Sequence, residues 1–305
     1  MAARRCPQCG ATIEVDETLM SARCAFCESA MVDDDSTREP VDTVAAFDVP
    51  RARAADLLKG YLQGNWLAPE SVRRAARADE LSPVLIPFYA YDALARTTFT
   101  ARVGIYWYRT ETYTTIENGK TVIRTRRVQE TDWHPFEGSH ARRWFDHLVS
   151  ASRGLAEHEA NALEPFDLGR AKPFSPAMTA GLAAEHPTVP HEEAKRVAGQ
   201  ELAELEQRTI AASHLPGDTH SGMHSNTTSK IEKVRLVLLP VWIAAFPGPA
   251  GAIRLLVNGQ TGEVVGEVPR SNWKIGCIVV AVIALVGGVI LALTGSVSIM
   301  ALVGR

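Results

Sequence analysis

No catalytic signature organises this sequence. It has no Gly-x-Ser-x-Gly elbow, no His-Glu-x-x-His helix and no glycine-rich dinucleotide fingerprint. A phosphate loop needs a glycine five positions before its Gly-Lys-Thr. Ahead of Gly119-Lys120-Thr121 that position is Thr114, so no ATP site is expected and no enzymatic role is assigned. Charge of one sign is also missing: a net charge of −3 over 305 residues excludes a strong overall attraction to nucleic acid. The opening MAARRCPQCG holds no apolar run, so no secretory leader is expected there.

Cysteine is scarce, with five in all, but four of them form two CxxC pairs. Cys6 and Cys9 stand in CPQCG, Cys24 and Cys27 in CAFCE. Two thiolates three positions apart grip one metal from a tight turn, and a second turn returned by a hairpin completes a tetrahedral site. Gly10 relieves the crowding where the backbone folds around the ion. The expected cofactor is one structural Zn2+ in a zinc ribbon, with iron and a pair of disulfides as the alternatives. Residues 1–35 carry three arginines against seven carboxylates, a net −4, and a tetrathiolate deepens it. Such a module repels a duplex. It suits protein docking, with Ile13, Val15, Leu19 and Phe26 as candidate contacts.

Hydrophobic runs are short until the far end. From Ile275 to Leu293 the sequence IGCIVVAVIALVGGVILAL has no charge, long enough for a membrane helix; a buried core helix is the alternative. Arg270, Trp273 and Lys274 precede it as interfacial anchors, and only Arg305 follows. This predicts a single-pass protein of the cytoplasmic membrane with its N-terminal body in the cytosol. Ala284, Gly288, Ala292 and Ser296 recur every fourth residue, a packing face for a homo-oligomer or another membrane helix, or simply the usual composition of such helices.

Between the ends, 33–40 reads as an acidic linker. Pro50, Pro69 and Pro190 each precede a helical pattern. Strand patterns occupy 84–93, 97–116, 230–246 and 252–269. VLIPFYAY (84–91) and VLLPVWIA (237–244) look like a weak repeat, whose Pro87 and Pro240 belong near an edge or a bulge. Asn118-Gly119 predicts a type I′ hairpin that sets Glu117 against Lys120, Tyr113 against Arg124 and Glu111 against Arg126. Arg124, Arg126 and Arg127 are candidate contacts for a lipid headgroup or nucleic-acid phosphate. Their neighbours Glu111, Glu117 and Glu130 favour a merely solvated hairpin. His214, His220 and His224, with Asp218, are candidates for a second metal or simply polar loop residues.

The expected fold is α+β. It comprises a four-cysteine zinc ribbon (1–32), an acidic linker (33–46), two helix-plus-antiparallel-strand units (47–150, with the long hairpin, and 151–270), and a C-terminal transmembrane helix with its interfacial flank (271–300). The motifs CPQCG…CAFC, NWLAPE, LIPFYAYDA, LLPVWIAAF and VNGQTGEVVGEVPRSNWK, with the terminal apolar run, carry a resemblance. The chain resembles a family of bacterial membrane proteins with a transcription-factor-IIB-type zinc ribbon. That family is often catalogued as primosomal protein N′ or superfamily II helicase-like. The resemblance implies a non-catalytic adapter or scaffold for a protein partner of the phage-shock or flotillin-like membrane-scaffold kind. A nucleic-acid-associated protein without ATPase activity is the alternative.

Overall fold

Strand takes nearly half of the described residues, about twice the usual share in a globular domain, so sheet and not an even α+β mixture sets the architecture. The computed structural model describes residues 2–32, 39–74, 81–117, 120–179, 182–248 and 251–303, with side chains to Gly288 at the end of the last stretch. In chain order, β1 (Ala2–Arg5), β2 (Thr12–Val15), β3 (Leu19–Arg23) and β4 (Ala30–Val32) form the ribbon. Next come β5 (Thr43–Val44), α1 (Arg51–Gly64), α2 (Glu70–Arg73), β6 (Leu81–Glu117) and β7 (Lys120–Ser150). Then follow α3 (Glu157–Leu163), β8 (Lys172–Pro173), β9 (Ala183–Glu185) and α4 (His191–Ser213). The chain closes with β10 (Thr219–Gly248), β11 (Gly251–Asn258), β12 (Val264–Val265) and α5 (Asn272–Val303). Of the expected linker, 33–38 lie outside the described residues, while Thr43–Val44 has become strand.

The two expected α+β units do not stand apart, which corrects the predicted fold. β6 pairs with β10 from Leu81↔Ala244 to Gly104↔Thr219, and a ten-stranded mixed sheet runs through both halves. The physical reason lies in VLIP and VLLP, which pair with each other: Leu85 faces Pro240 and Pro87 faces Leu238. β6 pairs in parallel with β9 at Val84 and Leu85, then with β7 from Phe88 onward. β10 does the same with β5 at Val237 and Leu238, then with β11 from Val241. Each proline thus sits where one neighbour ends and the next begins, so its missing N–H leaves no carbonyl stranded. Just beyond, the amides of Ala151 and Gly259 donate to the carbonyls of Pro87 and Pro240 (2.9 and 2.8 Å).

The match extends to the helices. The amides of Thr188 and Val189 donate to Ala151, as those of Asp48 and Val49 donate to Gly259. Pro190 and Pro50 follow as N-caps of α4 and α1. The Tyr89 hydroxyl donates to the Val189 carbonyl (3.3 Å), and the Trp242 indole to that of Val49 (2.9 Å). α1 buries Ala54, Leu58 and Leu62 against Trp242 and Leu255. α4 buries Ala194 and Ala198 against Tyr89, Tyr91 and Val149.

Above this core, β6 and β7 continue as a two-stranded arm. Asn118 and Gly119 lie outside the described residues, but the flanking register is the predicted one: Glu117↔Lys120, Tyr113↔Arg124, Glu111↔Arg126. The guanidinium over the Tyr113 ring belongs to Arg126, the diagonal neighbour, at 5.6 Å from its centroid.

The membrane span is also corrected. Among the described residues no helix is long and apolar enough to cross a membrane. Side chains are described from Ile275 only to Gly288. The transmembrane helix and the single-pass location in the cytoplasmic membrane, with a cytosolic body, are not supported. Ala284 and Gly288 are exposed, and the side chains of Ala292 and Ser296 lie outside the described residues. Lys274, expected as an interfacial anchor, instead donates to the carbonyls of Trp66 and Ala68 (2.7 and 2.8 Å), tying the start of α5 to the turn after α1.

Candidate metal centre

Each CxxC pair sits in a turn between two short strands, the first joining β1 to β2 and the second β3 to β4. The two turns carry the same backbone bonds. The Cys6 amide donates to Ala11 and the Gly10 amide returns to Cys6; the Cys24 amide donates to Ser29 and the Glu28 amide to Cys24 (2.8–2.9 Å). Closing such a turn requires a left-handed residue at its fifth position. Gly10 has φ 74° and Glu28 has φ 58°. Glycine takes that conformation freely, whereas glutamate brings its Cβ against the backbone. Glu28→Gly is therefore expected to stabilise the ribbon by about 0.5–1 kcal/mol, read as a higher denaturation midpoint; Gly10→Ala should lower it.

The turns face each other. Cys6 Sγ lies 3.6 Å from Cys27 Sγ, and Cys9 Sγ lies 3.7 Å from Cys24 Sγ. All four sulfurs fall within 4.8 Å of one another. A tetrahedral tetrathiolate with bonds of ~2.3 Å has edges of about 3.8 Å. A disulfide needs ~2.05 Å, and all four cysteines are free. The four cysteines could hold a metal ion, and they are the sole group of three or more candidate ligands found among the described residues.

The surroundings suit charged sulfur. The Ser29 hydroxyl lies 3.2 Å from Cys6 Sγ and 3.0 Å from Cys27 Sγ, and it leads in holding Cys6 down to about 6 and in lowering Cys27. Cys9 moves the other way. The Ala11 backbone pulls it down, but the neighbouring sulfurs and burial outweigh that and push it up to about 12. Four thiolates this close cannot all ionise by themselves. A divalent cation removes the conflict.

The ribbon is bonded into the large sheet. β3 pairs with β9 at Leu19↔Glu185 and Ser21↔Ala184, and the Ser21 hydroxyl donates to the Leu182 carbonyl at 2.7 Å. Met20 joins Val44, Leu85, Ala184 and Leu238 in one buried cluster. This changes the candidate docking surface. Val15 is buried, Leu19 half-buried, and Ile13 packs against Cys6, Cys24 and Met31. Phe26, between Cys24 and Cys27, is 74% exposed.

Comparison with known proteins adds one relative. The chain is 23% identical over 248 residues to the uncharacterized protein YdjG of Bacillus subtilis (strain 168), covering 76% of this chain and 64% of that protein. The chain thus spans just under two thirds of the relative's length. No protein-family model matches. No solved structure matches either.

The other candidate residues are dispersed. His214 caps the end of α4, its ring 4.3 Å from that of His140. His220 stands opposite Val103 and His224 opposite Thr100, on opposite faces of β10. Arg126 bonds Glu111 at 2.7 Å, on the face it shares with Arg124. Arg127 points to the opposite face and lies over Tyr108, 4.8 Å from its centroid. Strand alternation in the sequence already separates Arg127 from Arg124 and Arg126; the contact of Arg127 with Tyr108 is what the structure adds.

Proposed function

We propose that this chain is a non-catalytic adapter, in which one structural Zn2+ held by Cys6, Cys9, Cys24 and Cys27 stiffens a knuckle that recruits a protein partner. The observation that carries the reading is Phe26. A large ring held 74% exposed between two metal-ligand positions has no packing role of its own. Zinc suits the donor set, since four thiolates in a closed tetrahedron match a structural site with no open position. The bonds from β3 to β9 make the knuckle rigid with respect to the sheet, so little ordering opposes docking. Acidic residues around the knuckle, Glu14, Asp16 and Glu28 among them, favour a partner with a basic rim and an apolar pocket. The transcription-factor-IIB-type resemblance directs the search for that partner to phage-shock and flotillin-like scaffold proteins.

Phe26→Ala tests this. Partners captured by the full chain are quantified by mass spectrometry beside the variant, with metal content measured in parallel. A specific partner should lose at least about tenfold in affinity while the metal stays at one per chain. Equal capture of every partner by the two proteins would sink the reading.

A further inference from the structure

The two-stranded arm of β6 and β7, with the part of β10 that pairs at its base, has two chemically different faces. The even-numbered residues of β6 from Leu94 to Ile116 share one face with the β7 and β10 residues opposite them. Arg96, Arg102, Arg127 and Lys230 are exposed there, and among the described residues none of them has an ion-pair partner. Arg143, on the same face, is paired with Glu232 at 3.6 Å. The one carboxylate that the paired register adds to this face is Glu137.

Carboxylates collect on the other side. Glu111, Glu130 and Asp132 lie on the opposite face, where they bond Arg126, Arg109 and the Trp107 indole. Asp218, beside the start of β10, accepts from the Tyr106 amide at 2.7 Å. Near-neutral in sequence, the arm is cationic on one side only.

The cationic face also presents rings. Tyr106, Tyr108 and Trp133 are between 36% and 53% exposed. Arg127 lies over Tyr108, and Arg102 lies over Trp133 at 5.6 Å, so cations and π-surfaces alternate. Below them a hollow of about 580 Å³ is lined by Thr98, Thr100, Glu137, Ser139, His224 and Asn226, rich in donors and acceptors. Aliphatic groups on the arm's far half of this face are Ile116 and Ile123, near its tip.

We propose that this face binds single-stranded nucleic acid, with phosphates on Arg96, Arg102 and Arg127 and bases stacked on Tyr108 and Trp133. Exposed rings select unpaired bases, because every base offers a π-face once it leaves a duplex. Positive charge tracks the backbone. The strip from Arg96 to Thr110, the residue opposite Arg127, runs about 46 Å at ~3.3 Å per residue, room for several nucleotides. A membrane surface is the weaker fit, since the rings are framed by arginine and threonine and the exposed aliphatic groups are confined to the tip.

Fluorescein-labelled 20-mers of oligo-uridine and oligo-deoxythymidine, titrated with the full chain across a salt series, test the proposal. Anionic phosphatidylglycerol vesicles serve as competitor. Binding should show a log–log salt slope of about −2 to −3, as expected for three or four phosphates on a single strand. Arg102→Gln with Arg127→Gln should weaken it at least tenfold and flatten the slope by about 1.4. Tyr108→Ala should cost about tenfold with the slope unchanged. Arg126→Gln, on the opposite face, should stay within about twofold; circular dichroism confirms that each variant is folded. The proposal is overturned by no binding at about 50 mM salt. It is equally overturned if Tyr108→Ala is neutral while vesicles compete, which would assign the face to lipid, or if Arg126→Gln weakens binding as much as the cationic-face variant.

Discussion

Cys24→Ser is expected to release the metal and unfold residues 1–32 as a unit. Structural zinc sites of this kind bind with about 10–16 kcal/mol at neutral pH, and in so small a module that energy is folding energy. Three remaining thiolates leave the tetrahedron open, and the serine cannot supply a soft anion in place of Cys24, which is 1% exposed. The damage should pass into the main sheet. Met20 would leave the cluster it forms with Val44, Leu85, Ala184 and Leu238, and β9 would lose its pairing with β3. Metal stoichiometry should fall from one to near zero, and limited proteolysis should cut within 1–32 at protein concentrations where the native chain resists. Cys277→Ser, far along the chain, should change neither. A Cys24→Ser protein that keeps a full equivalent of metal would show that the four sulfurs are not the site.

Asn258→Ala should be the most damaging single change in the main body. Asn258 is completely buried and all its hydrogen-bonding capacity is used. Its side-chain nitrogen donates to the carbonyls of Leu163 (2.7 Å) and Pro165 (3.0 Å), while its oxygen accepts from the amides of Gln260 (2.7 Å) and Thr261 (3.0 Å). One amide thus holds the β11 turn closed and fastens the end of α3 to it. Alanine removes four bonds and leaves buried backbone groups unsatisfied, a cost of about 3–5 kcal/mol. In a domain of this size that corresponds to a fall in Tm of roughly 10 °C. Asn258→Asp separates polarity from size. It keeps the shape but turns an acceptor toward the Leu163 and Pro165 carbonyls, so it should be no better tolerated than alanine. A fall of less than about 2 °C for both variants would mean that water replaces the bonds.

These two residues show what was legible beforehand. The cysteine spacing specified a cluster of four sulfurs that could hold a metal ion, because ligand geometry is local: two cysteines three positions apart converge with little help from the rest of the fold. Asn258 stood inside VNGQTGEVVGEVP, noticed as a motif, but its purpose depends on Leu163 and Pro165, 95 and 93 residues away. The hairpin register could be counted outward from Asn118-Gly119, since antiparallel pairing alternates strictly on both sides of a two-residue turn. The likeness of VLIP to VLLP was visible too. That the two segments pair with each other, merging the expected units into one sheet, was not.

Local rules misled where burial decided the outcome. Val15, Leu19 and Ile13 looked like a docking surface, yet packing within the ribbon and against β9 covers them and leaves Phe26. The apolar run after Ile275 satisfied a length rule, yet no described helix meets the requirements for crossing a membrane.

By itself, the sequence determined the four-sulfur centre and the register of the strands flanking Asn118-Gly119. Each depends on residues close in the chain, where covalent geometry leaves few choices. Only the tertiary structure decided how the ribbon joins the sheet and with which partners the carboxylates of the arm pair. Those properties arise from long strands held in register, and from the cost of burying an apolar side chain in one place and not another.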